Sequence, residues 1–212
     1  MVTITNIFLV GATGRVGTEF LQLAVAAGHS VTALVRDSNK LALSDPRLTP
    51  VTGDLHDATT LAAAFSSGTW DAVVNVAGTD PLKASTLVTD AAQALVPLAE
   101  GTKTPRYLGI TGTAQMPKTP LGRISTAILR RTPVGHGARD HDGAYAAVKA
   151  SALDWALVGC PWIKDGPTRG TFKTREVFPG GMKTIHPGDV ALALFRELEH
   201  PTVHREIAGI WY

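Results

Sequence analysis

Glycine recurs at every third position in Gly11-Ala12-Thr13-Gly14-Arg15-Val16-Gly17, directly after the apolar run Ile7-Phe8-Leu9-Val10. A run that short and continuous reads as a strand buried on both faces. Val16 to Ala27 follows with Phe20, Leu21, Ala24 and Val25 at helical spacing. Glycine repeats carry weight only in this strand-to-helix context. There, Gly11 permits the tight turn, Gly14 lets backbone approach a pyrophosphate, and Gly17 lets the helix pack on the strand. The unpaired amides and dipole at the helix start attract phosphate charge, so the turn, with Thr13 and Val16 inside it, predicts a dinucleotide site. The bland alternative is a plain tight turn.

The end of the second strand, Ser30 to Val35, bears on which dinucleotide. An acidic residue there grips the ribose 2′-hydroxyl of NAD, whereas arginine accepts the 2′-phosphate of NADP. Here Arg36 precedes Asp37, and Arg15 in the glycine turn is a second cation for the same phosphate. NADP(H) is therefore preferred, with NAD(H) kept open by Asp37.

These groups need a frame to position them. The strand–helix–strand rhythm continues with strands at Leu48 to Gly53, Trp70 to Val76, Arg106 to Ile110 and Trp155 to Val158. Helices are predicted at Asp57 to Phe65, Ser85 to Glu100, Asp140 to Ala152 and Asp189 to Glu199, and a last strand, Glu206 to Trp211, at a sheet edge. Such alternation implies an α/β fold, a doubly wound parallel sheet of Rossmann type. The 212 residues are read as a single domain. Two stretches break the rhythm: Gly112 to Arg139, with one short helix at Ile124 to Arg130, and Gly159 to Met182. Both follow the carboxyl ends of strands, where a ligand crevice lies, and both are read as loops of a substrate lobe.

Composition narrows the function classes. Hydrophobic residues make up 44% and charged residues 18%, which excludes a disordered chain. A net charge of +2 does not argue for a nucleic-acid partner. One cysteine, Cys160, excludes an intramolecular disulfide and a multi-cysteine zinc site, and no pair among His136, Asp140 and His141 has metal-ligand spacing with a supporting third ligand. No run of 18 apolar residues exists, so no membrane partner is expected, and the apolar start from Ile4 to Val10 lacks a preceding basic residue. The expectation is a cytoplasmic protein, monomer or homodimer, acting on a small molecule.

The glycine turn, Val35-Arg36-Asp37, Gly53-Asp54-Leu55, Val76-Ala77-Gly78 and the run Ser151-Ala152-Leu153-Asp154-Trp155 together resemble the atypical short-chain dehydrogenase/reductase superfamily. The resemblance is to its small NAD(P)H-binding branch, which includes NmrA-like regulators and flavin and biliverdin reductases. It implies that Asp54 meets the adenine amino group, Leu55 the adenine face, and Ala77 and Gly78 the adenosine ribose. Read from residue type alone, Asp54 is equally a turn or cap ahead of Asp57. The branch often carries arginine-proline after the sixth strand; this chain has Gly159-Cys160-Pro161.

Mainstream members pair a hydroxyl residue after the fifth strand with Tyr-x-x-x-Lys on the next helix. Thr111 (with Thr113) and Tyr145-Ala146-Ala147-Val148-Lys149 offer both, but the register is short. Lys149 falls roughly 7 Å from the far edge of the sheet and Tyr145 roughly 13 Å, against about 17 Å for a five-residue strand. Tyr145 can reach toward the crevice; Lys149 stops short. His141, one turn nearer the crevice, is a candidate proton relay, with His136 and Asp140 close by. Cys160 reads as a packed thiol, and Trp162 as either pocket wall or core. The reading is an NAD(P)H-dependent oxidoreductase, its acceptor a small or planar flavin- or quinone-like molecule implied by resemblance alone. Its alternatives are a cofactor-sensing NmrA-like regulator without turnover and, more weakly, a nucleotide-sugar epimerase or dehydratase.

Overall fold

The computed structural model describes residues 5–80 and 82–212; Ile4, counted above with the first apolar run, lies outside them. In chain order the regular elements are β1 (Asn6–Val10), α1 (Arg15–Ala26), β2 (Ser30–Val35), β3 (Leu48–Thr52), α2 (Ala58–Ser66), β4 (Ala72–Asn75), α3 (Leu87–Gly101), β5 (Arg106–Gly112), α4 (Pro120–Leu129), α5 (Gly135–Ala150), β6 (Asp154–Cys160), β7 (Trp162–Ile163), β8 (Lys173–Arg175), β9 (Thr184–Ile185), α6 (Pro187–Glu199) and β10 (Glu206–Trp211).

The main sheet runs β3-β2-β1-β4-β5-β6-β10-β8 and is parallel except for β8. Continuous apolar strands are explained by its two covered faces. Ile7 and Leu9 join Val31, Ala33, Val74 and Leu108 under α1 and α6, while Phe8 and Val10 join Val73, Tyr107 and Leu157 under α2, α3 and α5. Successive side chains on one strand thus feed opposite cores, as the period of two requires. Strand order reverses between β1 and β4, both extending their chains to the same edge. That is the switch point at which an open parallel sheet makes its ligand crevice.

Two expectations about the lobe are corrected. Gly112 to Arg139 is largely helical. Pro120 occupies the first turn of α4, and the Thr119 hydroxyl accepts the Gly122 amide at 3.1 Å. Proline at a helix start and a threonine cap are helix signals, and they place the start of α4 four residues before the expected one. The helix expected at Asp140 begins at Gly135 instead, just after Pro133. The second correction concerns the sheet edge. β10 has its expected bounds, but the returning segment β8 pairs with it in antiparallel fashion and takes the edge. All three β8 residues are exposed, two of them cationic, which discourages further strand addition.

Candidate functional site

The glycine turn is shaped partly by the protein's own packing. Gly11 has φ of 88°, and a Cβ there would lie 2.6 Å from the Val76 carbonyl carbon at the end of β4. A Cβ on Gly17 would lie 2.0 Å from the Gly11 oxygen, so α1 could not seat on the turn. Gly14 differs. Its φ of −80° suits any residue, and a Cβ would meet only the Gly11 oxygen, at 3.2 Å. Packing restricts this glycine far less than Gly11 or Gly17, since the Gly11 oxygen would have to give by only a few tenths of an ångström; a closely approaching ligand adds a stronger reason. The turn is closed by Gly14 N–H donating to Gly11 O at 2.9 Å. No side chain caps α1 and no acid stands in its first turn, so its leading amides have no side-chain partner. Thr13, Gly14 and Arg15 are exposed, whereas Val16 is buried and faces the site through its backbone alone. The cradle therefore fits a diphosphate.

Around it, the adenosine-side candidates are arranged unequally. Arg36 is exposed and makes no hydrogen bond or ion pair among the described residues. Asp37 is engaged locally, capping a single 3-10 turn by accepting the Asn39 amide at 3.0 Å. One Asp54 oxygen accepts the His56 amide at 2.9 Å, a turn that precedes the Asp57 cap of α2; Leu55 packs on the core below α2. Ala77 and Gly78 leave the end of β4, where Asn75 Oδ1 accepts the Ala77 amide at 3.1 Å. Asn75 Nδ2 donates to the Tyr107 hydroxyl at 3.0 Å, and burial pushes that phenol up to about 12, keeping it protonated. Sequence reading passed over this pair. The available signal was Asn75 itself, one amide in the otherwise apolar run Ala72 to Val76.

At the carboxyl end of β5, Thr111 is buried and its hydroxyl donates to Gln115 Oε1 at 3.4 Å. Gln115 Nε2 donates to Asp142 Oδ1 at 2.8 Å, and Arg130 clamps Asp142 through two bonds of 2.6 and 2.8 Å. Arg130 holds the Asp142 carboxyl below its ordinary range. Lys118 donates to the Ala114 and Met116 carbonyls at 2.7 and 2.6 Å, and burial with the nearby Arg130 charge lowers its pKa. None of Gln115, Lys118, Arg130 and Asp142 was singled out from sequence, because no local spacing links them.

Tyr145 and Thr111 line one small cavity of about 10 Å³, together with Asn75 and Tyr107; that is room for a single water. The Tyr145 ring packs edge-on against Trp155, with centroids 6.1 Å apart. Lys149 is exposed, its Nζ 5.6 Å from the Tyr145 ring centroid. His141 lies beside Gly112, with Nδ1 sealed from solvent and without a hydrogen-bond partner among the described residues. Burial lowers its pKa, favouring neutral imidazole. Asp140 turns away and caps α3, accepting the Val88 and Thr89 amides at 3.1 and 2.8 Å. It lines, with His136, Arg139, Ser85 and Thr86, an open cleft of about 520 Å³.

The segment after β6 crosses toward the glycine turn. Arg15 Nη1 donates to Asp165 Oδ1 at 2.8 Å and to the Ile163 carbonyl at 3.3 Å, so the cation expected to serve a phosphate is engaged by this segment. The fully buried Asp189 anchors the crossing: it accepts the Arg169 amide at 3.0 Å, the Gly170 amide at 2.8 Å and the Tyr212 hydroxyl. His186 Nδ1 donates to the Pro167 carbonyl at 2.7 Å. Cys160 is buried and its thiol pKa is raised by burial, whereas Trp162 is 47% exposed and is not core. Among the described residues no group of histidine, cysteine or acidic side chains could hold a metal. Because Arg15 and Asp165 are both exposed, Asp165→Asn should change stability by less than about 1 kcal/mol. It should tighten NADPH binding several-fold in a calorimetric titration, by freeing Arg15.

Comparisons with known proteins place the chain in a family. The sequence profile of the family described as NAD(P)H-binding matches residues 11–201. The Bacillus subtilis protein YwnB, described as uncharacterized, is 26% identical over 208 residues, covering 92% of this chain and 93% of its own length. Among solved structures, a candidate NADH-flavin reductase from Streptococcus pneumoniae has 24% identity and a TM-score of 0.77, covering 98% of this chain and 99% of that one. ChuY, an anaerobilin reductase from Escherichia coli O157:H7, has 21% identity and a TM-score of 0.75, covering 97% and 96%. A profile spanning nearly the whole sequence establishes that this chain belongs to the NAD(P)H-binding family.

Proposed function

We propose that the protein is an NAD(P)H-dependent oxidoreductase that prefers NADP(H) and passes hydride to a small or planar acceptor of flavin or quinone type. The observation that carries the reading is the uncapped start of α1, with Gly14 open in front of it, at the switch point of the sheet. When bound, the nicotinamide supplies the hydride. In this reading the Gly11–Gly17 amides, including those of Thr13 and Val16, hold the diphosphate. Asp54, Leu55, Ala77 and Gly78 flank the adenosine, and Thr111 meets the nicotinamide side. Arg36 accepts the 2′-phosphate; its lack of a competing partner supports this, as does the engagement of Asp37 in its own cap. Acceptor reduction asks little of the chain beyond orientation and exclusion of side reactions, because water can deliver the proton. His141, neutral and beside Gly112, is the relay candidate nearest the crevice.

The test is calorimetric titration with NADPH and NADH, followed by oxidation of NADPH in the presence of flavin mononucleotide, riboflavin and menadione. Tight binding without oxidation by any acceptor would favour the non-catalytic sensor. Arg36→Ser should weaken NADPH about tenfold or more, from the loss of charge-assisted hydrogen bonds, and leave NADH within about twofold. Equal loss for both would remove the NADP preference. Tyr145→Phe should lower turnover by less than about tenfold, since its hydroxyl makes no hydrogen bond among the described residues. A larger loss would restore Tyr145 as the proton donor.

A further inference from the structure

Helix α4 presents its apolar side to solvent. Leu121, Ile124 and Ile128 are 63%, 60% and 59% exposed, and Gly122 is its one buried residue. At about 100° per residue these three side chains fall in a stripe roughly 60° wide. A helix that covers a core shows the reverse pattern. The neighbouring segment adds to the patch: Thr119 N–H and its hydroxyl bond to the Phe178 and Pro179 carbonyls at 3.2 and 2.9 Å. Val177 and Met182, 45% and 99% exposed, flank those two anchored residues.

The charge around this patch is one-sided. Between Gly112 and Arg139 stand Lys118, Arg123, Arg130, Arg131 and Arg139, with no acidic residue. Arg130 is neutralised by Asp142, but Arg123 and Arg131 have no side-chain partner among the described residues. The stretches 112–139 and 159–182 hold nine of the twenty Lys and Arg residues and two of the eighteen Asp and Glu. The lobe is therefore strongly cationic, and the rest of the protein is anionic.

We propose that the outward face of α4 docks on an anionic phospholipid surface, with Leu121, Ile124 and Ile128 entering the headgroup boundary and Arg123 and Arg131 meeting lipid phosphates. An apolar stripe with cationic residues along one side is a pattern of interfacial helices, and anionic headgroups supply the charge the lobe lacks. A second copy fits less well. A two-fold contact sets the same patch against itself, bringing together two lobes of net positive charge in which only Asp165 and Glu176 stand against nine basic residues. No helix among the described residues is long and apolar enough to cross a membrane, so the attachment is peripheral and reversible. It does not depend on the assignment of a cofactor.

Co-sedimentation with vesicles tests this, using phosphatidylcholine alone and an equimolar mixture with phosphatidylglycerol. The protein should bind the mixed vesicles at low ionic strength, bind phosphatidylcholine at least roughly tenfold more weakly, and be released by salt. Ile124→Glu, and separately Arg123→Glu with Arg131→Glu, should each reduce binding at least roughly tenfold while leaving the far-ultraviolet circular dichroism unchanged. Absence of binding to the mixed vesicles overturns the proposal, as does binding that these variants leave intact. A dimer in light scattering that Ile124→Glu dissociates also overturns it, assigning the face to a second copy.

Discussion

Gly14→Asp should weaken binding of both NADPH and NADH about 100-fold while leaving the fold intact. The cost to the fold should be small, because φ at Gly14 is ordinary and a Cβ there needs the Gly11 oxygen to give by only a few tenths of an ångström. A carboxylate there would stand at the amides of α1, taking the place of the ligand's negative charge and repelling the rest. Thermal melting should stay within a few degrees of the parent, so the loss is one of affinity. Gly17→Ala is the contrasting control. Its Cβ would collide with the Gly11 carbonyl, and melting should fall together with binding. Retained affinity in Gly14→Asp would mean that the diphosphate does not sit at the start of α1, and the proposed oxidoreductase reading would fall with it.

Asp189→Ala should be among the most destabilising single changes outside the apolar core. The side chain is fully buried and accepts from two amides and one hydroxyl. Removing it leaves three donors in a water-poor site, a cost of about 3 kcal/mol or more. For a chain of this size that is a fall in Tm of roughly 6–12 °C. Asp189→Asn keeps an acceptor oxygen and should lose less. Because Asp189 holds the segment that reaches Arg15, its loss should also free residues 163–170. Faster proteolysis there and a change in NADPH affinity are both expected. A melting shift smaller than about 1 °C would show that the segment is held by other contacts.

The two residues illustrate how unevenly the chain can be read. The turn at Gly14 was legible because it depends on a few neighbours: an apolar strand before it, a helix after it, and glycines three residues away on either side. Arg36 stood out as a candidate for the same reason, lying at the end of an apolar run. Asp189 was not. It appeared as an acid at a helix start, yet its partners are 19, 20 and 23 residues distant. Gly112 to Arg139 lay between these cases. Its proline positions suggested a loop, whereas Thr119-Pro120 is also a helix start, and the tertiary contacts with Phe178 and Pro179 accompany the second outcome.

The alternation of strands and helices, the doubly wound parallel sheet and the glycine turn were thus determined by the amino-acid sequence itself. They rest on side-chain periodicity and on the backbone freedom of particular residues, which are properties of short segments. Tertiary structure alone decided that Arg15 meets Asp165 across 150 positions, that Arg130 clamps Asp142, and that Asp140 caps α3. It also decided that the apolar stripe of α4 faces outward. Ion pairs and caps of this kind form wherever packing happens to bring complementary groups together, and no local pattern records the meeting.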